Sequence, residues 1–414
     1  MKRIHYSLLE GRAGYYAALL VLGAIIGTGL LAFWYMEHYG HIVTGMTNQI
    51  VWGMPHVFAV FLIVAASGVL NVASIGSVFD RKAYKPLSRL SAVMAAAVLA
   101  GGLMILVLDL GRPDRLIVAM TYYNFKSIFA WNMILYNGFF AVVLLYLFVQ
   151  MSRSFAVQKY KKHAGMAAFL WRLILTTGTG SIFGWLVARQ GYDLAVFAPM
   201  FIAMSFSFGL AIFLLLMMAL YRAVGRPLGH GLVNRLGRLL GVFVAVAAYF
   251  VAVAHLTNLY APEHQAYEKF ILAGGNIYTW LLWGGFGLIG TALPLFLLFS
   301  NAARRSFAPV AWASLLVILG GLALMYVIII GGQAFPLVMF PGKEVSSGFV
   351  DGVINSYTPS LPEIALGLAG AALAVAITVF AARVLPILPR SLADDDVDPH
   401  LARAADVVEL KKAA

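Results

Sequence analysis

The 414-residue sequence contains no cysteine. Disulfides, thiol chemistry and cysteine-ligated iron–sulfur clusters are thereby excluded within this chain. Charge is scarce as well, with Asp, Glu, Lys and Arg making up 11% of residues. Acidic residues are the scarcer sign, 17 against 29 Lys and Arg. A soluble domain of this length uses far more charge on its surface. What fills the gap is apolar, since 62% of residues are hydrophobic and the mean hydropathy is +0.88. A membrane-crossing helix needs about 20 apolar residues. Ten such stretches stand near 16–36, 53–75, 89–110, 129–150, 166–188, 194–221, 237–260, 276–299, 308–332 and 362–385. The fold class is therefore all-α integral membrane, with about ten transmembrane helices. Spans 2–5 and 6–9 are expected as two four-helix bundles plus two extra helices, although neither a repeat nor periodicity groups them. The stretch after Lys2, Arg3 and Arg12 lacks a small-residue cleavage site and is read as a retained first helix.

The formal net charge of +12 does not indicate nucleic acid, because there is no soluble domain to carry a basic stripe. Of the 29 Lys and Arg, 22 fall in or beside the two tails and alternate loops, 6 fall on the other side, and Arg172 lies within span 5. The positive-inside rule places both termini in the cytoplasm. The sequence then divides into a cytoplasmic N-tail (1–15), a membrane domain (16–385) and a cytoplasmic C-tail (386–414). That C-tail, with Asp394 to Asp396, is polar and is read as mobile. The expected location is the bacterial cytoplasmic membrane. Gly23 and Gly27 in span 1 and the run Thr176 to Ser181 in span 5 suit close helix packing. The loop from Glu37 to Trp52 is expected along the interface. The loop from Gln333 to Leu361 is long enough to carry function.

Ionisable groups within a membrane are costly and become functional candidates by default. Near the outer span ends stand His56, Asp109, Arg189, Asp193 and His255, with Glu263, His264 and Glu363 close by. Tyr122, Tyr123, Lys126, Trp131 and Asn132 lie in or after loop 3–4. A quinone headgroup needs an apolar slot, a hydrogen-bond partner at each oxygen and a proton route, which His, Tyr and Asn can supply. Plainer roles compete. Trp52 and Trp280 suit interface anchors. Asp109, Arg112 and Asp114 could pair locally at the end of span 3. Arg172 is expected to snorkel to the surface. Asn71, Asn132 and Asn137 suit interhelical glue. His56 and His255 could ligate one haem, although a single intramembrane His pair is weak evidence for one.

The run Leu108-Asp109-Leu110-Gly111-Arg112-Pro113-Asp114-Arg115 resembles the Asp-Leu-Gly-Arg-Pro signature of the NrfD/PsrC family, the membrane subunits of polysulfide reductase-like complexes. Tyr357-Thr358-Pro359-Ser360-Leu361-Pro362-Glu363 is similar to the Tyr-x-Pro-Ser-x-x-Glu pattern of its ten-span branch. That branch includes the hydrogenase membrane subunit and, nearest in resemblance, the DsrP subunit of the DsrMKJOP complex. The resemblance implies a subunit without its own haem or cluster. Such a subunit exchanges electrons between menaquinone or ubiquinone and a ferredoxin-like iron–sulfur partner on the outer, periplasmic face. Further membrane and cytoplasmic subunits are implied. The motifs carry over Asp109, Arg112 and Glu363, while Tyr122 and Tyr123 match only a general aromatic habit. Lys126 to Asn132 keeps Ser127 and Trp131 of the family pattern but lacks its Pro and Gly. The expected quinone contacts are His56, Asp109, Arg112, Tyr122, Tyr123 and Trp131. The expected proton relay is Asp193, His255 and Glu363, with exchange at the outer face only, and no metal ligands are expected. The alternatives are a secondary transporter for protons or a sulfur anion, and a structural anchor.

Overall fold

The computed structural model describes residues 4–337 and 352–397. Ten helices in it are long and apolar enough to cross a membrane. They are α1 (Ala13–Tyr39), α2 (Met54–Ser77), α3 (Lys82–Leu108), α4 (Ile128–Met151), α5 (Lys161–Gly184), α6 (Phe197–Val224), α7 (His230–Tyr260), α8 (Ile277–Phe299), α9 (Ala308–Ala334) and α10 (Leu361–Val384). All ten overlap the stretches read from hydropathy, and the molecule is a multi-pass membrane protein. Proline marks the first turns of α2, α9 and α10, where its missing N–H costs nothing. Gly225, with φ +63°, closes α6 in the left-handed conformation.

Two closed rings of four helices form the core. In the first, α2 packs on α3, α3 on α4, α4 on α5 and α5 back on α2. In the second, α6, α7, α8 and α9 close in the same order. The rings meet where α2 crosses α6. A methyl group on Gly68 would overlap the Ser205 carbonyl, and one on Gly209 would overlap the Val69 amide, so the two backbones touch. α10 lies against α3 and α2, and α1 packs chiefly on α10. The apolar window of α1 is only 6% buried, against 89% for α2. The packing of α1 differs from the sequence expectation. Gly23 and Gly27 face open space, and Gly29 is the residue that meets α10, at Ala369.

Arg172 does not snorkel. It is fully buried in the middle of α5. Its Nη2 donates to Asn71 Oδ1 on α2 at 2.9 Å, and its guanidinium lies over Phe169 and Phe206. Among the described residues, Nε and Nη1 find no hydrogen-bond partner. Below Asn71, the first part of the C-tail is packed rather than loose. Leu388–Pro389 (β2) pairs antiparallel with Tyr6–Ser7 (β1). Asp394 accepts from the Gly231 and Leu232 amides at 2.8 and 3.0 Å, neutralising the start of α7. Residues 398–414 of that tail, and 338–351 of the long loop before α10, lie outside the described residues.

Candidate functional site

A cavity of about 660 Å3 opens between α2, α3, α4 and α5 at one end of the first ring. Its walls are mostly apolar, with Val60, Leu103, Met133 and Phe183 among them. Polar side chains interrupt that lining: His56 on α2, Asn132, Tyr136 and Asn137 on α4, and Thr179 on α5. The helical turn Leu116–Thr121 contributes Ala119 and Met120, and Arg112 and Arg115 border it on the same side.

The chemistry concentrates at His56. Its Nδ1 stands 2.8 Å from Asp109 Oδ2, and the Asp109 side chain is wholly buried. The approach is off the line of a well-formed hydrogen bond, and no other group among the described residues reaches either Asp109 oxygen. An isolated buried carboxylate is expensive, so His56 is the group that can compensate it. The signature turn makes this possible. α3 ends at Leu108, and Gly111, at φ +68°, reverses the backbone. Pro113 then opens the short turn that leads over the cavity. Arg112 and Asp114 pair locally on the surface at 3.2 Å. That hydrogen-bonded pair holds the Asp114 carboxyl below its usual range and the Arg112 guanidinium above its own.

Loop 1–2 forms one wall. Trp52 stacks on His56 with ring centres 6.0 Å apart, and meets Phe183 edge-on. Gln333, at the end of α9, fixes its backbone. The Gln333 Oε1 accepts from the Val51 and Trp52 amides, and its Nε2 donates to the Trp52 carbonyl, all at 3.0 Å. Arg189 donates to the Gln333 and Gln49 carbonyls at 3.0 and 2.9 Å. Burial holds the Arg189 guanidinium below its usual range. Trp52 is thus a cavity wall rather than an interface anchor, whereas Trp280 is largely exposed.

The second motif braces the same region. Glu363 is fully buried and accepts from Tyr357 Oη, Ser360 N and Gly45 N at 2.7, 2.8 and 2.9 Å. Tyr357 Oη in turn accepts from the Met54 amide at 2.6 Å. The motif therefore clamps the start of α10 to loop 1–2 and to the first turn of α2, two residues before His56. A methyl on Gly53 would strike Glu363, so that position has room only for glycine.

Other expected residues lie elsewhere. Tyr122 is 83% exposed, Tyr123 packs on Phe125, and Trp131 donates its indole N–H to the Phe125 carbonyl. None of the three lines the cavity. The three expected relay residues occupy separate settings. Asp193 sits in the turn between α5 and α6, and Glu363 is the brace just described. His255, on α7, places Nδ1 2.7 Å from Glu268 Oε2. Glu268 is fully buried in the helix Gln265–Ala273, and Asn258 donates to its other oxygen at 2.8 Å. Sequence reasoning missed Glu268, whose only signal was an acidic residue 13 positions after an intramembrane His. It also missed Gln333. Among the described residues, no three His, Cys, Asp or Glu side chains gather as a metal site requires.

Comparison with known proteins agrees with the signature turn at Asp109. The family model described as "Polysulphide reductase, NrfD" matches residues 42–337. The sequence is 28% identical over 398 residues to the "Hdr-like menaquinol oxidoreductase integral membrane subunit" of Archaeoglobus fulgidus, spanning 95% of this protein and 99% of that one. It is 23% identical to a selenate reductase subunit of Mesobacillus selenatarsenatis, over 83% of this protein and 87% of that one. It is 24% identical to "Protein NrfD" of Escherichia coli, over 69% and 96%. With its matched region spanning the cavity, the signature turn and the Gln333 lock, the chain belongs to the NrfD family of polysulfide reductase membrane subunits.

Proposed function

We propose that the protein is the quinone-reactive membrane subunit of a redox complex and that the cavity beside His56 receives the quinone ring. The observation that carries this is the pairing of His56 with the buried Asp109 at the wall of a mostly apolar slot. The residues present suit a quinone: apolar sides for the ring, Trp52 as a flat neighbour, and Asn and His as partners for its oxygens. The relative named for menaquinol oxidoreduction favours a menaquinone. When bound, a quinol supplies two protons and two electrons. With Nδ1 facing Asp109, the free ring nitrogen of His56 is Nε2, positioned as base for a quinol hydroxyl. Asp109 then holds the imidazolium charge. The apolar walls exclude water and strengthen that pairing. Running in reverse, the same pair protonates a quinone.

The site end of the bundle is assigned to the periplasmic face, and both termini to the cytoplasm, from the 22-to-6 bias in Lys and Arg. Without cysteine the protein holds no cysteine-bound cluster of its own. Its electron partner is read as a ferredoxin-like iron–sulfur subunit on that face, within a complex of the DsrP-containing kind. The test is quinol-analogue oxidation by the purified complex, with solvent extraction of bound quinone. His56→Ala is expected to cut turnover by about 10²-fold or more with assembly unchanged. Near-normal turnover sinks the site. Proton or sulfur-anion flux in liposomes holding this protein alone would favour the transporter alternative instead.

A further inference from the structure

At the opposite end of the first ring, a second cavity of about 580 Å3 lies among the ends of α2, α3, α4 and α5. Four cations line it, Lys85, Arg89, Lys161 and Lys162, against one carboxylate, Asp80. Asp80 is already taken by Lys85 at 2.6 Å. Asp80 holds φ +52°, a left-handed conformation unusual outside glycine, Asn and Asp. Arg89 is locked by neutral groups. It donates to the Pro386 and Gln150 carbonyls at 3.1 and 3.0 Å and stacks on Tyr6. Lys161 and Lys162 begin α5, whose first turn has no acidic residue. Among the described residues, neither lysine has a carboxylate at ion-pair distance.

The recess thus carries an excess of three positive charges at the level where spans end. Like charges held together raise the energy of the folded state unless an anion joins them. The recess has room for a group with several oxygens, and basic pockets between spans at this depth suit lipid headgroups. We propose that this recess is a binding site for a phosphate group, supplied either by the headgroup of an anionic phospholipid or by free phosphate. The site is independent of the quinone reading, since it shares no residue with the other cavity.

The test is thermal unfolding of the intact complex in phosphatidylcholine nanodiscs, in nanodiscs containing phosphatidylglycerol, and in phosphatidylcholine with added inorganic phosphate. Ionic strength is matched with chloride. Wild type is compared with Lys161→Gln/Lys162→Gln, two substitutions at exposed or half-exposed positions that leave Arg89 and its contacts in place. Phosphatidylglycerol is expected to raise the wild-type Tm by several degrees and the variant's by much less, with a retained anionic lipid visible in native mass spectra of wild type only. An equal rise from inorganic phosphate alone assigns the site to the free anion. Equal lipid responses in wild type and variant, or no response to either phosphate source, overturn the proposal. A variant whose Tm in plain phosphatidylcholine already matches wild type makes the comparison one of binding rather than folding.

Discussion

Two buried polar residues set opposite expectations for mutation. Arg172 carries a charge into the middle of the first ring, hydrogen-bonded to the Asn71 side chain. Removing that partner strands the guanidinium, at a cost of about 1–3 kcal/mol or more. Removing the charge itself relieves the burial. Asn71→Ala is therefore expected to lower the Tm more than Arg172→Met does, and the reverse order in detergent unfolding would refute this account of Arg172. Tyr357 behaves as a hydrogen-bond hub. Burial and its bond to Glu363 push its hydroxyl well above the usual tyrosine range. An unfolded tyrosine ionises near pH 10. The folded form keeps its proton higher, so this stabilisation is whole below about pH 10 and is lost as pH rises further. Tyr357→Phe is expected to cost about 1–3 kcal/mol at neutral pH and to remove that alkaline component, both readable from unfolding curves. His56 and Asp109 were legible in the sequence because ionisable groups in apolar spans stand out. Their pairing was not, because 53 positions separate them and only the fold closes that distance. Arg172 was misread because hydropathy reports depth along a span but not which neighbours surround it.

The segment Gln49 to Trp52 has no regular secondary structure of its own. Its shape is borrowed from Gln333 and Arg189 through backbone hydrogen bonds. Gln333→Leu removes three bonds to Val51 and Trp52 at once, each worth about 1 kcal/mol. The expected results are a Tm loss, faster proteolysis within 40–53, and weaker quinone retention as Trp52 leaves the wall. Unchanged quinone content with a loosened loop would show that Trp52 does not shape the site. The ten helices themselves were plain from long apolar runs. This loop was not, because an amide side chain bonding to backbone leaves no periodic trace in either partner. The loop from Glu37 to Trp52 is expected along the interface, whereas the structure buries its Gln49 and Ile50.

For the molecule as a whole, the crossing of α2 and α6 holds the two rings together. Gly209→Leu places a branched side chain against the Val69 backbone, where a single methyl already overlaps. The expected outcome is a sharp loss of monodisperse protein in size exclusion, with helical content by circular dichroism largely kept. Normal elution would show that the crossing tolerates separation. The span count was readable from the sequence, and the two rings are the groups expected there, spans 2–5 and 6–9; no periodic signal carried that grouping, because the same Leu, Val and Ala face lipid and neighbouring helices alike. One further feature bears on how the protein is made. α1 packs chiefly on α10, and the strand pair and the Leu9 to Ala382 bond fasten the same two ends. Those are the earliest and the latest of the ten spans to leave the ribosome. During synthesis α1 must therefore wait in lipid, committed in topology but unpaired, while both rings assemble without it. A polypeptide stopped before α10 would have both rings but neither the Glu363 brace on loop 1–2 nor a partner for its first helix, so docking of α10 is the step at which a cell can distinguish a folded molecule from an abandoned one.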